Sequence, residues 1–272
     1  MKTSFEFFPP RTDKGKQSLV QVRQQLSVVQ PEYFSVTFGA GGTTQEATLE
    51  TVLDIQKKGA IAAPHLSCIG SEKENIIKLL DQYKLAGVNR IVALRGDIPS
   101  GVRDIGDFHY ANELVEFIRS KYNDHFHIEV AAYPEVHPQA KNIYTDLQHF
   151  TNKVKAGADG AITQYFYNAD AYFRFVDEVQ KLGIDIPITP GIMPITNHAQ
   201  LVRFSNMCGA EIPKWILERL KLYENDLDAL SAFGTEVVTD LCQTLKNQGV
   251  DSFHFYSMNR TQPSLDIAKT LL

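Results

Sequence analysis

Short apolar runs rich in β-branched and aromatic residues alternate along the chain with longer stretches of helical period, and the alternation repeats eight times. The runs predict strands over 4–8, 33–39, 62–67, 90–95, 127–133, 160–166, 186–192 and 252–257, each followed by a helix. Eight strand–helix units in about 250 residues have the size and rhythm of an α/β (βα)8 TIM barrel. The second helix is predicted to open at Thr43-Thr44-Gln45-Glu46, where Thr followed three residues later by Glu or Gln forms a capping pattern. Between the seventh and eighth strands, 197–250 reads as two or three helices broken at Ile212-Pro213, so extra helices are predicted there. No linker, charge block or low-complexity tract divides the chain, and 1–272 is expected to be one barrel domain.

A doubly wound sheet also alternates strands and helices. Against it, the one glycine cluster after an early strand, Gly39-Ala40-Gly41-Gly42-Thr43-Thr44, fails G-x-G-x-x-G because position 44 is Thr, and no phosphate-loop motif occurs. The cluster reads as a backbone-led loop.

Barrel strands present one parity to the helices and the other to the interior or the mouth, so a polar residue between apolar neighbours points inward. In strand 1 this turns Phe5 and Phe7 toward the helices and Ser4, Glu6 and Phe8 toward the barrel. Ser35 and Thr37 are inward in strand 2; Arg95 and Asp97 share a parity at the end of strand 4; Glu129, Ala131 and Tyr133 do so in strand 5. Strand 6 gives Ile162, Gln164 and Phe166, and strand 8 gives His254 and Tyr256 with Arg260 beyond its end. Catalytic groups of such barrels gather at strand carboxyl ends, where Asp97, Tyr133, Gln164 and Arg260 fall. Glu6 lies slightly deeper among Phe5, Phe7 and Phe8, and poor hydration there favours a neutral carboxyl suited to donating a proton. Glu6 as a structural ion-pair partner, His65 and His254 as satisfied core histidines, and Arg95-Gly96-Asp97 as a strand-end ion pair remain open alternatives. His137 is outside any HExxH context and is not read as a metal ligand.

Composition narrows the class. The chain has 272 residues, 43% hydrophobic and 22% charged, with a net charge of −5. An isoelectric point near 5.9 and scattered Lys and Arg offer no field for nucleic acid. Cys68, Cys208 and Cys242 are widely spaced and odd in number, which argues against disulfides or structural zinc and for a reducing, cytoplasmic setting. No signal segment or stretch of about 18 apolar residues suggests export or a membrane.

Six segments in order across nearly the whole chain carry a resemblance. They are Ser4-Phe5-Glu6-Phe7-Phe8-Pro9-Pro10-Arg11, Ala63-Pro64-His65-Leu66, Ala93-Leu94-Arg95-Gly96-Asp97, Ala132-Tyr133-Pro134-Glu135-Val136-His137-Pro138, Ile162-Thr163-Gln164 and Phe253-His254-Phe255-Tyr256. Together they resemble the bacterial methylenetetrahydrofolate reductases. The resemblance implies a barrel that binds FAD noncovalently, takes electrons from NADH or NADPH, and reduces 5,10-methylenetetrahydrofolate to 5-methyltetrahydrofolate for methionine synthesis. It implies Glu6 as the general acid to N10 of the folate and Asp97 as a catalytic group near flavin and pterin. Gln164, Gln200, Phe204 and Arg260, with Asp97, are the implied folate contacts. The implied FAD contacts are Thr37, Phe38, Ala40, His65, Arg95, Gly96, Asp97, Tyr110, Ala111, Tyr133, His137, Ala140, Asp146, His149, Asn152 and Lys153; at His149 and Asn152 the family carries Asn and Arg. No metal is implied.

Because nicotinamide and folate must reach one flavin face, the resemblance implies ping-pong kinetics. It also implies a homo-oligomer, dimer or tetramer, and absence of the regulatory carboxyl-terminal domain of larger eukaryotic relatives. Another flavin barrel such as a proline dehydrogenase-like enzyme, a folate-binding methyltransferase barrel and a non-catalytic barrel stay as alternatives. A protein bleached by NADH and reoxidised by methylenetetrahydrofolate separates the reductase from all three.

Overall fold

The computed structural model describes residues 1–38, 42–96 and 106–272. In chain order the elements are β1 (Lys2–Phe7), α1 (Asp13–Leu26), β2 (Tyr33–Val36), α2 (Gly42–Lys57), β3 (Ala62–Ser67), α3 (Lys73–Leu85), β4 (Arg90–Leu94) and α4 (Ala111–Tyr122). They continue as β5 (His127–Ala132), α5 (Ile143–Lys155), β6 (Gly160–Thr163), α6 (Ala169–Lys181), β7 (Ile188–Thr189), β8 (Gly191–Ile192), α7 (His198–Cys208), α8 (Lys214–Leu222), α9 (Leu227–Asn247), β9 (Ser252–Tyr256) and α10 (Ser264–Leu271). All pairings are parallel, in the order β7-β6-β5-β4-β3-β2-β1-β9-β8. Since β7 and β8 are successive pieces of the chain separated only by Pro190, the sheet comes round on itself as the expected TIM barrel.

The strand predicted over 186–192 is therefore corrected to two short pieces. Pro190 has no N–H to give a ladder. Ile188 and Thr189 pair with β6, while Gly191 and Ile192 pair with β9, and the Pro190 carbonyl still accepts from the His254 N–H at 3.0 Å. The three helices α7, α8 and α9 fill the stretch predicted to hold extra helices, with Pro213 just before α8. Helix α2 begins at Gly42, so Thr43 and Thr44 fall inside its first turn. Among the described residues no helix is long and apolar enough to cross a membrane.

Strand parity sorts the core as read from the sequence. Phe5 and Phe7, fully buried, stack outside the barrel on Phe255 and Phe34 at ring-centroid distances of 5.3 and 5.2 Å. Inside it, the Ser4 hydroxyl lies 2.7 Å from Nδ1 of His254, and Ser35 lies 3.4 Å from Nε2. Glu129 is paired with Arg90 at 2.7 Å and with His127 at 3.1 Å near the strand amino ends, so this inward carboxylate belongs to the closed bottom of the barrel.

Candidate active site

The strand carboxyl ends open into a mouth of about 430 Å³. Its polar lining includes Glu6 from β1, Thr37 after β2, His65 from β3, Tyr133 and Gln164 after β5 and β6, and Tyr256 from β9; Phe204, Met207 and Cys208 of α7 cover one side. A smaller cleft of about 230 Å³ lies between α1 and α2, outside the barrel. The ion pairs Lys16–Glu50 and Arg23–Asp54 flank it, and none of the strand-end chemistry reaches it.

Glu6 is 8% exposed and has two imidazoles beside its Oε2: Nε2 of His65 at 3.3 Å and Nε2 of His254 at 3.8 Å. Neither contact has hydrogen-bond geometry, and the buried His65 Nε2 has no hydrogen-bond partner among the described residues. Burial pushes the His65 imidazole below the ordinary histidine range, partly opposed by the Glu6 carboxylate and reinforced by His254. His65 is thus a neutral ring with an unspent polar atom at the mouth wall.

Tyr256 spans the seam where the barrel closes. Its hydroxyl donates to the Thr163 carbonyl at 2.7 Å, and the Gly191 N–H donates to the Thr163 hydroxyl at 2.9 Å. The ring lies so close to Gly191 that a Cβ there would sit 2.6 Å from Cε2 and 2.1 Å from the Thr163 oxygen. Burial raises the Tyr256 phenol far above its usual range, so it stays a neutral donor. Tyr165 packs edge-on to Tyr256 and hydrogen-bonds Ser205 of α7 at 3.0 Å, which ties β6 to the helix carrying Phe204.

A second group of expected residues lies on the β4–β5 side. The Arg95 guanidinium donates to the Gly96 carbonyl at 3.2 Å and to the Gln139 side chain. Lys153 donates its amine to the Ala131 carbonyl at the end of β5, with the Phe150 ring 5.6 Å away. Burial pushes this amine down to about 8, against the pull of Asp146. Asp146 also accepts from the His137 N–H at 2.8 Å; the His137 ring meets Tyr133 edge-on at 4.5 Å, and the Ala140 N–H donates to the His137 carbonyl. Tyr110, which precedes Ala111 at the start of α4, stacks on His149 of α5 at 6.1 Å, while Asn152 accepts from Gln148. Gly96, at φ +84, leaves no room for a side chain, since a Cβ would fall 1.8 Å from the Ser67 hydroxyl.

Among the expected residues, the mouth brings together Glu6, Thr37, His65, Tyr133, Gln164 and Phe204. Phe38 lies instead in a cleft between α2 and α3, Gln200 is partly exposed in the first turn of α7, and Arg260 is exposed after β9 outside the mouth lining. Asp97 and Ala40 lie outside the described residues. Phe166 is a correction: β6 ends at Thr163, the alternation lapses there, and Phe166 packs on Tyr172 of α6 at 5.6 Å while Tyr165 takes the mouth. Sequence reasoning also missed Met193, Met207, Cys208 and Met258 as lining residues; no period announces side chains delivered by loops and a helix end.

The fold places the chain among the (βα)8 barrels. A Clostridium thermocellum protein described as binding two copies of 5-methyl-5,6,7,8-tetrahydrofolic acid superposes with a TM-score of 0.66 at 12% identity, covering 99% of this chain and 93% of that one. Sequence narrows the class further. The methylenetetrahydrofolate reductase family model matches residues 1–272. The 5,10-methylenetetrahydrofolate reductase of Escherichia coli is 38% identical over 274 residues, covering all of this chain and 90% of that protein. The enzyme of the same name from Buchnera aphidicola subsp. Acyrthosiphon pisum is 40% identical over 272 residues, covering all of this chain and 92% of that one. The chain belongs to the methylenetetrahydrofolate reductase family and is an oxidoreductase.

Proposed function

We propose that this protein, its whole length acting as one catalytic barrel, reduces 5,10-methylenetetrahydrofolate to 5-methyltetrahydrofolate with electrons from NADH or NADPH through FAD. The observation that carries the reading is Glu6: a buried carboxyl at the floor of an aromatic-walled mouth, beside a neutral histidine with an unused nitrogen. The residues present fit FAD. Arg95 and Lys153 have only neutral hydrogen-bond acceptors among the described residues and no ion pair, which suits a diphosphate. The stacked Tyr110 and His149 offer ring faces for the adenine half, and His65, Thr37 and Tyr133 wall the mouth where the flavin ring would rest. Bound there, FAD supplies a two-electron carrier between nicotinamide and folate.

The chain's own residues do the rest. Glu6 holds a proton and delivers it to N10 of the folate, which opens the five-membered ring and leaves an N5-iminium able to accept hydride. Gln164 offers its amide to the pterin edge, and Phe204, with the Arg203 guanidinium 5.1 Å from its ring, offers a face to the aminobenzoate. Asp97 follows Gly96 and supplies negative charge toward the iminium. The apolar side of the mouth keeps water from the cation. The test is spectroscopic. A yellow protein should bleach with NADH and regain colour with methylenetetrahydrofolate, and Glu6→Gln should keep the first step and lose the second. Loss of both steps together would remove the acid assignment.

A further inference from the structure

The last ladder pair between β1 and β9 is Glu6 with Tyr256. Beyond it, side chains take over from backbone. The Ser257 hydroxyl, 4% exposed, donates to the Glu6 carbonyl at 2.6 Å. The Asn259 side chain grips the residue that follows β1 twice: its oxygen accepts from the Phe8 N–H at 2.8 Å, and its amide donates to the Phe8 carbonyl at 2.9 Å. The Arg260 N–H closes the turn on the Ser257 carbonyl at 2.9 Å.

Making these contacts forces two successive non-glycine residues into the left-handed region, Met258 at φ +53 and Asn259 at φ +56. Asn tolerates that conformation; Met does not favour it. A strained pair of residues persists only where surrounding contacts over-determine it, and such outliers gather at functional sites. Here the strained residue itself lines the mouth, between the two that hold β1.

The Glu6 carboxyl supplies the reason for a clamp. Among the described residues its oxygens accept no hydrogen bond, with both imidazoles off axis or too far. Donors fixed on a carboxyl favour its charged form and so oppose retention of the proton an acid must carry to its substrate, so an acid cannot be held tightly by its own head group. Its placement must then come from its main chain. The Phe7 carbonyl is fixed from the β2 side by the Thr37 N–H at 2.9 Å, and the Glu6 and Phe8 peptides from the β9 side by Ser257 and Asn259.

We propose that the Ser257-Met258-Asn259 turn is a positioning clamp that sets the Glu6 carboxyl for proton transfer, with Asn259 as its decisive residue. The inference rests on Glu6 being the acid of the proposed reaction. Asn259→Gly keeps the left-handed backbone available while deleting both grips on Phe8. Flavin reduction by NADH should stay within about twofold of wild type in this variant, and the folate half-reaction should fall about tenfold or more, as expected for a reacting group displaced by a fraction of an ångström. The fall should lie in the rate constant of the folate half-reaction and not in the apparent affinity for methylenetetrahydrofolate. An unchanged folate half-reaction, or an equal fall in both half-reactions, overturns the clamp. Should Asn259→Gly not fold, Asn259→Asp preserves the acceptor for the Phe8 N–H, sets a carboxylate against the Phe8 carbonyl, and is read the same way. Glu6→Gln run alongside separates the two ideas. If it reduces folate normally, the acid reading fails and the clamp with it; if it is dead while Asn259→Gly is normal, only the clamp fails.

Discussion

Gly191→Ala tests the idea that the barrel seam is knitted by Thr163, Tyr256 and Gly191 in place of the ladder that Pro190 interrupts. The added methyl would lie 2.1 Å from the Thr163 carbonyl oxygen, 2.6 Å from Cε2 of Tyr256 and 2.7 Å from its hydroxyl. The first neighbour is backbone of β6 and cannot swing aside, so either β8 moves away from β6 or the Tyr256 ring leaves. Overpacking of this kind costs about 1–3 kcal/mol. Departure of the ring also breaks the 2.7 Å bond to Thr163 and strands a carbonyl, adding about 1–3 kcal/mol. The sum, about 2–6 kcal/mol, is a large share of a total stability of about 5–15 kcal/mol. Urea unfolding followed by far-ultraviolet circular dichroism reads it directly, and the melting temperature should fall by roughly 5–20 °C. Tyr256→Phe, which removes only the hydroxyl, should cost less than Gly191→Ala. A Gly191→Ala protein within about 0.5 kcal/mol of wild type would refute the argument, because that is the range of substitutions touching nothing.

Lys153 predicts a pH signature. Its folded amine is pushed down by burial to about 8 from the ordinary 10.5, so between those values the unfolded chain holds a proton the folded one has shed. Stability from this residue therefore rises as pH climbs from about 8 toward 10.5, and is lowest below 8. Urea midpoints of wild type and Lys153→Met should diverge across that window; parallel curves would sink the claim. Gly234 sits inside α9, where alanine ordinarily gains about 1 kcal/mol in a helix. Here a Cβ would fall 2.3 Å from the Ile195 carbonyl oxygen, so Gly234→Ala should lose about 1–3 kcal/mol in urea unfolding and disturb the neighbouring Met193 wall of the mouth. A stabilised variant would contradict the close packing.

The barrel was legible because its evidence is local and repeated. Each strand signals itself by apolar runs, and parity alone turned Phe5 and Phe7 to the helices and Ser4 and Glu6 inward, as the stacking on Phe255 and Phe34 and the contacts to His254 bear out. Parity failed where the strand stopped being one. The run at 186–192 keeps its apolar character through Pro190, but the ladder does not, and beyond Thr163 the chain turns, so Tyr165 rather than Phe166 enters the mouth. In both cases hydrophobic period survives the loss of the hydrogen-bond pattern that gives it meaning.

The site was legible only as far as single residues announce chemistry. An isolated Glu among three phenylalanines is conspicuous, whereas the groups holding it are Ser257 and Asn259, ordinary polar residues about 250 positions away in the chain. Nothing local requires a Met-Asn pair to turn left-handed; the requirement arises once β1 and β9 lie side by side and the Phe8 peptide needs partners. The same holds for Gly191, whose missing side chain matters because a tyrosine from β9 and a carbonyl from β6 converge on it. Which residue reacts follows from its own chemistry and its strand; what fixes it to a fraction of an ångström follows from which strands meet, and here that is decided by closure of the barrel between β1, β9 and the broken β7–β8 strand.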